Sequence, residues 1–173
     1  MKSLPTLLLL LLTAGLSLHA QGPQPPNPLI DYDGFMANAE AVGKLRETHR
    51  VSEQDFLTMA AQPGTIIFDA RNDAKYKLLH LKGAVHLDLT NATAADLAKV
   101  IPDKNTRILI YCNNNFLNEP VAFASKSPPT SLNIYTFNTL YGYGYKNVYE
   151  LAPLLDIKKS VLLFEGTRVS SPN

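Results

Sequence analysis

The chain carries one cysteine, Cys112, in 173 residues. A lone thiol forms no intramolecular disulfide, so in an oxidising compartment it is buried, paired with another molecule or kept for its reactivity. The sequence also lacks a membrane span. Its longest apolar run starts with unbroken leucine from Leu7 to Leu12 and continues to Leu18, with Thr13, Gly15, Ser17 and His19 interrupting its far end. That is less than the roughly 18 apolar residues a span requires. Charge of one sign is scarce too: the formal net charge is +1, and Lys2 is the only charged residue before Ala20, so removing that segment leaves a neutral chain. Such a balance gives no electrostatic case for nucleic acid or an anionic membrane surface. No internal repeat is present. One Cys with scattered His does not supply the regular spacing of a metal site, and nothing implies a cofactor.

What is present begins with export. One early positive charge, a leucine core and a small residue at Ala20 predict a signal peptide over residues 1–20. No cysteine lies near that cut, which excludes a lipid-modified amino terminus. The expected mature protein is periplasmic or secreted and has no membrane anchor. Residues 21–34, with four prolines between Gln21 and Pro28, read as an extended linker. Phe35, Ala39, Val42 and Leu45 keep helical spacing and predict a helical extension over 35–49. The remaining length suits one domain with a respectable core.

Within it, Ser52-Glu53-Gln54-Asp55 is a weak form of the capping box, with Asp at the Glu/Gln place and Val51 and Phe56 at the staple positions, so a helix should run from Glu53 to about Ala61. Thr65–Asp69 reads as a strand, Tyr76–Leu81 as a short helix or turn, and Ala84–Leu87 as another strand. A helix starts at Thr93 and ends before Pro102, and Val148–Leu151 is the last strand. The tail over 157–173 contains one apolar burst, Val161–Phe164, and is expected to fray. Short apolar strands alternating with helices predict βαβ units and a mostly parallel sheet. The apolar run Ile108-Leu109-Ile110-Tyr111 then delivers Cys112 into Asn113, Asn114 and Asn115. This places the thiol at the carboxyl end of a buried strand, the edge where open α/β sheets bind ligands.

Four segments in order carry a family resemblance. Asp69-Ala70-Arg71, His80-Leu81-Lys82-Gly83-Ala84-Val85-His86-Leu87, the strand ending at Cys112, and Gly144-Tyr145-Lys146-Asn147-Val148-Tyr149-Glu150-Leu151 resemble the motifs of the rhodanese-like (sulfurtransferase) domain. The resemblance spans residues 50–156. It implies an α/β fold with an open parallel five-stranded sheet and helices on both faces, here with the N-terminal helical extension. It also implies a thiolate at Cys112 that accepts a sulfane sulfur and passes it on. Loop main-chain atoms of Asn113, Asn114, Asn115, Phe116 and Leu117 would form the cradle. The implied partners are a small sulfur donor such as thiosulfate or a persulfide, or a thiol acceptor, with a protein partner as the further alternative.

Departures from the pattern matter as much. The loop normally reads Cys-x-x-Gly-x-Arg, but Asn115 stands at the Gly place and Leu117 at the Arg place. The Gly-Gly that commonly follows the last strand is Ala152-Pro153, and Pro120 and Ser127-Pro128-Pro129-Thr130 break the helix that should follow the loop. An inserted loop over 116–130 is expected, with a helix from about Ser131 burying Leu132, Tyr135, Leu140 and Tyr143. Arg71 is the candidate replacement anion contact, against a structural pairing with Asp69 or Asp73. A cysteine phosphatase needs Arg where Asn118 stands. A papain-like hydrolase needs a partner His, and all four His precede Cys112. The competing reading from another class is a catalytically degenerate binding or regulatory module whose Cys112 loop contacts a partner.

Overall fold

A computed structural model of the protein describes residues 27–169. The chain divides into units 1–31 and 32–173. Of the first unit, the described part is a turn in which the Ile30 N–H donates to the Asn27 carbonyl at 3.1 Å. The expected signal peptide and most of the proline-rich stretch lie outside the described residues.

The second unit opens with α1 (Tyr32–His49), which starts three residues before the expected extension. In chain order there follow β1 (Arg50–Val51), α2 (Glu53–Ala60), β2 (Thr65–Asp69), α3 (Asp73–Leu78), β3 (His80–Leu81) and β4 (Val85–His86). Next come α4 (Ala94–Val100), β5 (Arg107–Tyr111), β6 (Phe116–Leu117), α5 (Leu132–Gly142), β7 (Val148–Leu151), β8 (Leu155–Asp156) and β9 (Phe164–Glu165). The caps are those the sequence encodes. Ser52 Oγ accepts the Asp55 N–H at 3.1 Å and donates to its carboxylate at 2.7 Å. Thr93 Oγ1 accepts the Asp96 N–H at 3.2 Å. Such caps satisfy first-turn donors that the helix itself leaves orphaned.

The five-stranded sheet has the order β1-β7-β5-β2-β4, and every pairing in it is parallel. β5 is central because it is apolar on both sides. Ile108 and Ile110 face a core shared with Val42 of α1, Leu97 of α4 and Phe137 and Leu140 of α5. Leu109 and Tyr111 face the opposite core, with Phe56 of α2 and Leu151 of β7. Period-two alternation on a strand buried on both faces thus yields helices on both faces, as expected.

Two expectations are corrected. On α5, Tyr135 and Tyr143 are exposed, and the buried residues are Asn133, Thr136, Phe137 and Leu140. The aromatic rings face solvent because the α5 stripe facing the sheet includes two polar residues, Asn133 and Thr136. Nor does the described part of the tail fray. Leu162 is buried, and β9 pairs antiparallel with β3, His80 opposite Glu165 and Leu81 opposite Phe164. Phe164 packs edge-on against Phe116, with centroids 5.3 Å apart, so aromatic burial outweighs the polar composition of the tail.

The strap formed by β9 turns at Gly166, whose φ is +131°, and a Cβ there would sit 2.6 Å from the Leu78 carbonyl oxygen. Gly83 also has positive φ but borders open space. We therefore expect Gly166→Ala to cost more than about 2 kcal/mol and Gly83→Ala about 1 kcal/mol in chemical denaturation. Equal costs would mean that the strap does not constrain the domain.

Candidate functional site

Cys112 follows directly on β5 at the carboxyl edge of the sheet and is 1 % exposed. Its backbone is extended, and Asn113–Asn115 then form a single 3-10 turn. The chain continues into β6, which pairs with β8 rather than curling round the sulfur. The asparagines do not adopt the left-handed angles expected of a cradle. Among the described residues the non-glycine residue with positive φ is Asn118, at 66°. The Asn115 N–H bonds the Cys112 carbonyl at 3.1 Å and also faces the Cys112 side chain, while the Phe116 N–H is spent on the Asn113 carbonyl. Phe116 is buried among Tyr111, Phe123 and Phe164, whereas Leu117 is exposed.

The asparagines instead work through their side chains. Asn113 Nδ2 donates to the Ala124 carbonyl at 2.7 Å. Asn114 brackets Lys126, donating to its carbonyl at 2.8 Å and accepting its N–H at 2.9 Å. Both ties hold the inserted segment against the site. Asn115 uses its whole amide: Oδ1 accepts the Cys112 N–H at 2.9 Å and Asn133 Nδ2 at 3.1 Å. Its Nδ2 donates to the carbonyls of Leu151 at 2.8 Å and Pro153 at 3.2 Å. The Asn that replaces the usual glycine is therefore a four-way junction between β5, β7 and α5.

The insertion carries the next helix away in sequence but not in space. Ser131 occupies the N-cap position of α5 without a capping bond, and its Oγ lies 3.4 Å from Cys112 Sγ. A hydroxyl at the start of α5 thus lies within hydrogen-bond reach of the sulfur. Sequence reading missed Ser131 and Asn133. The signal lay in the helix start expected at Ser131, because an N-cap residue beside a strand-end loop is well placed to meet it.

Arg71 does not reach that edge as an anion contact. It is 2 % exposed, and its guanidinium bonds the Asp69 carboxylate through Nη2 at 2.6 Å and Nε at 3.0 Å. It also donates to the carbonyls of Leu79 at 2.7 Å and Ala122 at 3.1 Å. The ring of Phe123 lies 4.3 Å from the guanidinium carbon. Burial opposes its charge, but the Asp69 carboxylate outweighs this and holds the Arg71 pKa above its usual value. Tyr111 donates its hydroxyl to Asp69; burial first, then the Asp69 charge, raises the phenol well above its usual range.

His80 and His86 stack on Tyr76, with centroids at 3.8 and 4.4 Å, and are structural. Among the described residues no cluster of His, Cys, Asp or Glu is arranged to hold a metal ion, and no helix is long and apolar enough to cross a membrane. A hollow of about 570 Å³ is lined by Ala70, Arg71, Asn72, Asp88, Lys126 and Leu132, among others; Cys112 and Ser131 do not line it.

The architecture is that of an open parallel α/β domain presenting a strand-end cysteine. The chain belongs to the rhodanese-like domain family, whose match covers residues 52–153. No curated protein matches significantly. Solved structures similar to this chain include a rhodanese-like domain from Anabaena sp., 19 % identical with a TM-score of 0.48, covering 72 % of this chain and 85 % of that one. A thiosulfate sulfurtransferase from Pseudomonas aeruginosa is 18 % identical with a TM-score of 0.41, covering 69 % of this chain and 20 % of that one. The polysulfide-sulfur transferase homodimer of Wolinella succinogenes is 18 % identical with a TM-score of 0.37, covering 75 % and 95 %.

Removing one member of a buried ion pair strands the other charge. Arg71→Met should therefore lower unfolding free energy by about 3–5 kcal/mol, measured by urea denaturation. Unchanged stability with lost anion binding would return Arg71 to the role of substrate contact.

Proposed function

We propose that the protein is an exported sulfurtransferase or persulfide carrier in which Cys112 is the sulfur-bearing residue. The observation that carries this reading is the seat of Cys112 Sγ: the end of β5, with the Ser131 hydroxyl 3.4 Å away at the start of α5. The thiolate attacks the outer sulfur of a donor such as thiosulfate or a persulfide. The donor S–S bond breaks, the leaving sulfite or thiolate takes the electron pair, and Cys112 holds the sulfur as a persulfide. An acceptor thiolate then attacks that outer sulfur and releases Cys112, so no external oxidant or reductant is consumed. The Ser131 hydroxyl donates to the anionic sulfur in both states, in place of the missing loop arginine. Lys126, whose main chain is held by Asn114 and whose side chain is exposed, supplies positive charge on the loop for an anionic donor. Export rests on Lys2, the leucine run and Ala20.

The second reading, a binding module without transfer, is favoured by the burial of Cys112, since buried structural cysteines are inert. Mass spectrometry separates the two. After incubation with thiosulfate, a polysulfide or glutathione persulfide, we expect one added sulfur on Cys112, absent in Cys112→Ser at unchanged stability. Ser131→Ala should slow sulfur uptake about tenfold, the value of one charge-assisted hydrogen bond. No adduct from any donor, with the thiol reduced, rejects transfer in favour of the binding module.

A further inference from the structure

Helix α1 lies outside the segment that matches the family, yet a continuous polar chain runs from it to the sulfur loop. Arg46 of α1 grips Glu150 of β7 with two bonds, Nε to Oε2 at 2.6 Å and Nη2 to Oε1 at 3.0 Å. The Arg46 pKa is raised by its hydrogen bond to that carboxylate. Glu150 is itself buried, on the face of β7 turned toward α1 and α5, beside Ile110. Asn133 Nδ2 on α5 donates to Glu150 Oε1 at 3.5 Å and to Asn115 Oδ1 at 3.1 Å. Asn115 Oδ1 in turn receives the Cys112 N–H at 2.9 Å.

The orientation of Asn133 is the informative point. Its Oδ1 is buried without a partner, an arrangement that costs free energy by itself. Turning the amide over would set that oxygen against the Glu150 carboxylate and Asn115 Oδ1, three acceptors with no donor between them. The Glu150 carboxylate and Asn115 Oδ1 together decide which way Asn133 points. Asn133 then offers an N–H to Asn115 Oδ1, the atom that also accepts the Cys112 N–H. Arg46 keeps the carboxylate in place and compensates its burial.

We infer that Arg46, Glu150 and Asn133 are positioning residues for Cys112, acting through Asn115, and that α1 is part of the working site rather than an appendage. The inference rests on Cys112 being the site, as proposed above. In this frame a rigid polar scaffold fixes the main chain of the cysteine where the family pattern has a glycine-containing loop.

The test is ¹⁵N NMR of the full chain. Arg46→Met and Glu150→Gln should each move the Cys112 and Asn115 amide resonances and speed Cys112 amide exchange about tenfold. Lys44→Met, which breaks only the exposed Lys44–Glu40 pair on the same helix, should leave both unchanged. A salt bridge that merely fastened α1 would not move the Cys112 amide. Glu150→Gln preserves shape, so it serves if Arg46→Met loosens α1. An unmoved Cys112 amide in Glu150→Gln and Asn133→Ala overturns the inference. Sulfur uptake by the wild-type protein is measured in parallel. No uptake with shifted amides rejects transfer and keeps the positioning chain; uptake with unmoved amides does the reverse.

Discussion

One buried charge organises the carboxyl edge of the sheet. Arg71 is 2 % exposed, and a guanidinium so placed persists only if its donors meet acceptors and its charge meets a counter-charge. Asp69 supplies the counter-charge from the end of β2, while the Leu79 and Ala122 carbonyls and the Phe123 ring complete the shell. Tyr111, the last residue of β5, ties into the same cluster by donating to Asp69 and accepting the Leu81 N–H at 3.1 Å. The residue immediately before the cysteine and the inserted segment after it thus share one electrostatic anchor. Its worth is geometric: it fixes where β5 ends.

With that cation turned inward, the surroundings of the sulfur are neutral hydrogen-bonding groups. Asn113 and Asn114 hold the insertion, Asn115 holds the strand end, and Ser131 faces the sulfur. An amide carries donor and acceptor together, so one Asn joins elements that a glycine could only pass between. The arrangement trades loop mobility for connectivity and leaves Cys112 covered in the conformation described.

Much of the fold was legible because it rests on local signals. Period-two burial marked β5, and Ser52 and Thr93 marked helix starts. The Gly144–Leu151 segment marked the last strand, and the two prolines before Ser131 displaced α5. The errors share a cause, which is that a tertiary partner outweighed local composition. Tyr135 and Tyr143 look like core residues until Asn133 and Thr136 take the inward face. The tail looks polar until Phe164 meets Phe116, and Arg71 looks like a ligand contact until Asp69 is seen beside it. The site was legible at Cys112 but not at Ser131, Asn133 or Glu150. These residues lie 19, 21 and 38 positions downstream, and the sheet order β7-β5 together with the packing of α5 on that sheet brings them together.

The lengths of the outer strands carry a further consequence. The sheet ends on β1 at one side and on β4 at the other, each of two residues. Edges that short offer little unpaired backbone to an incoming chain, which protects the domain from edge-to-edge aggregation. They also leave little backbone on this sheet for the addition of a further strand.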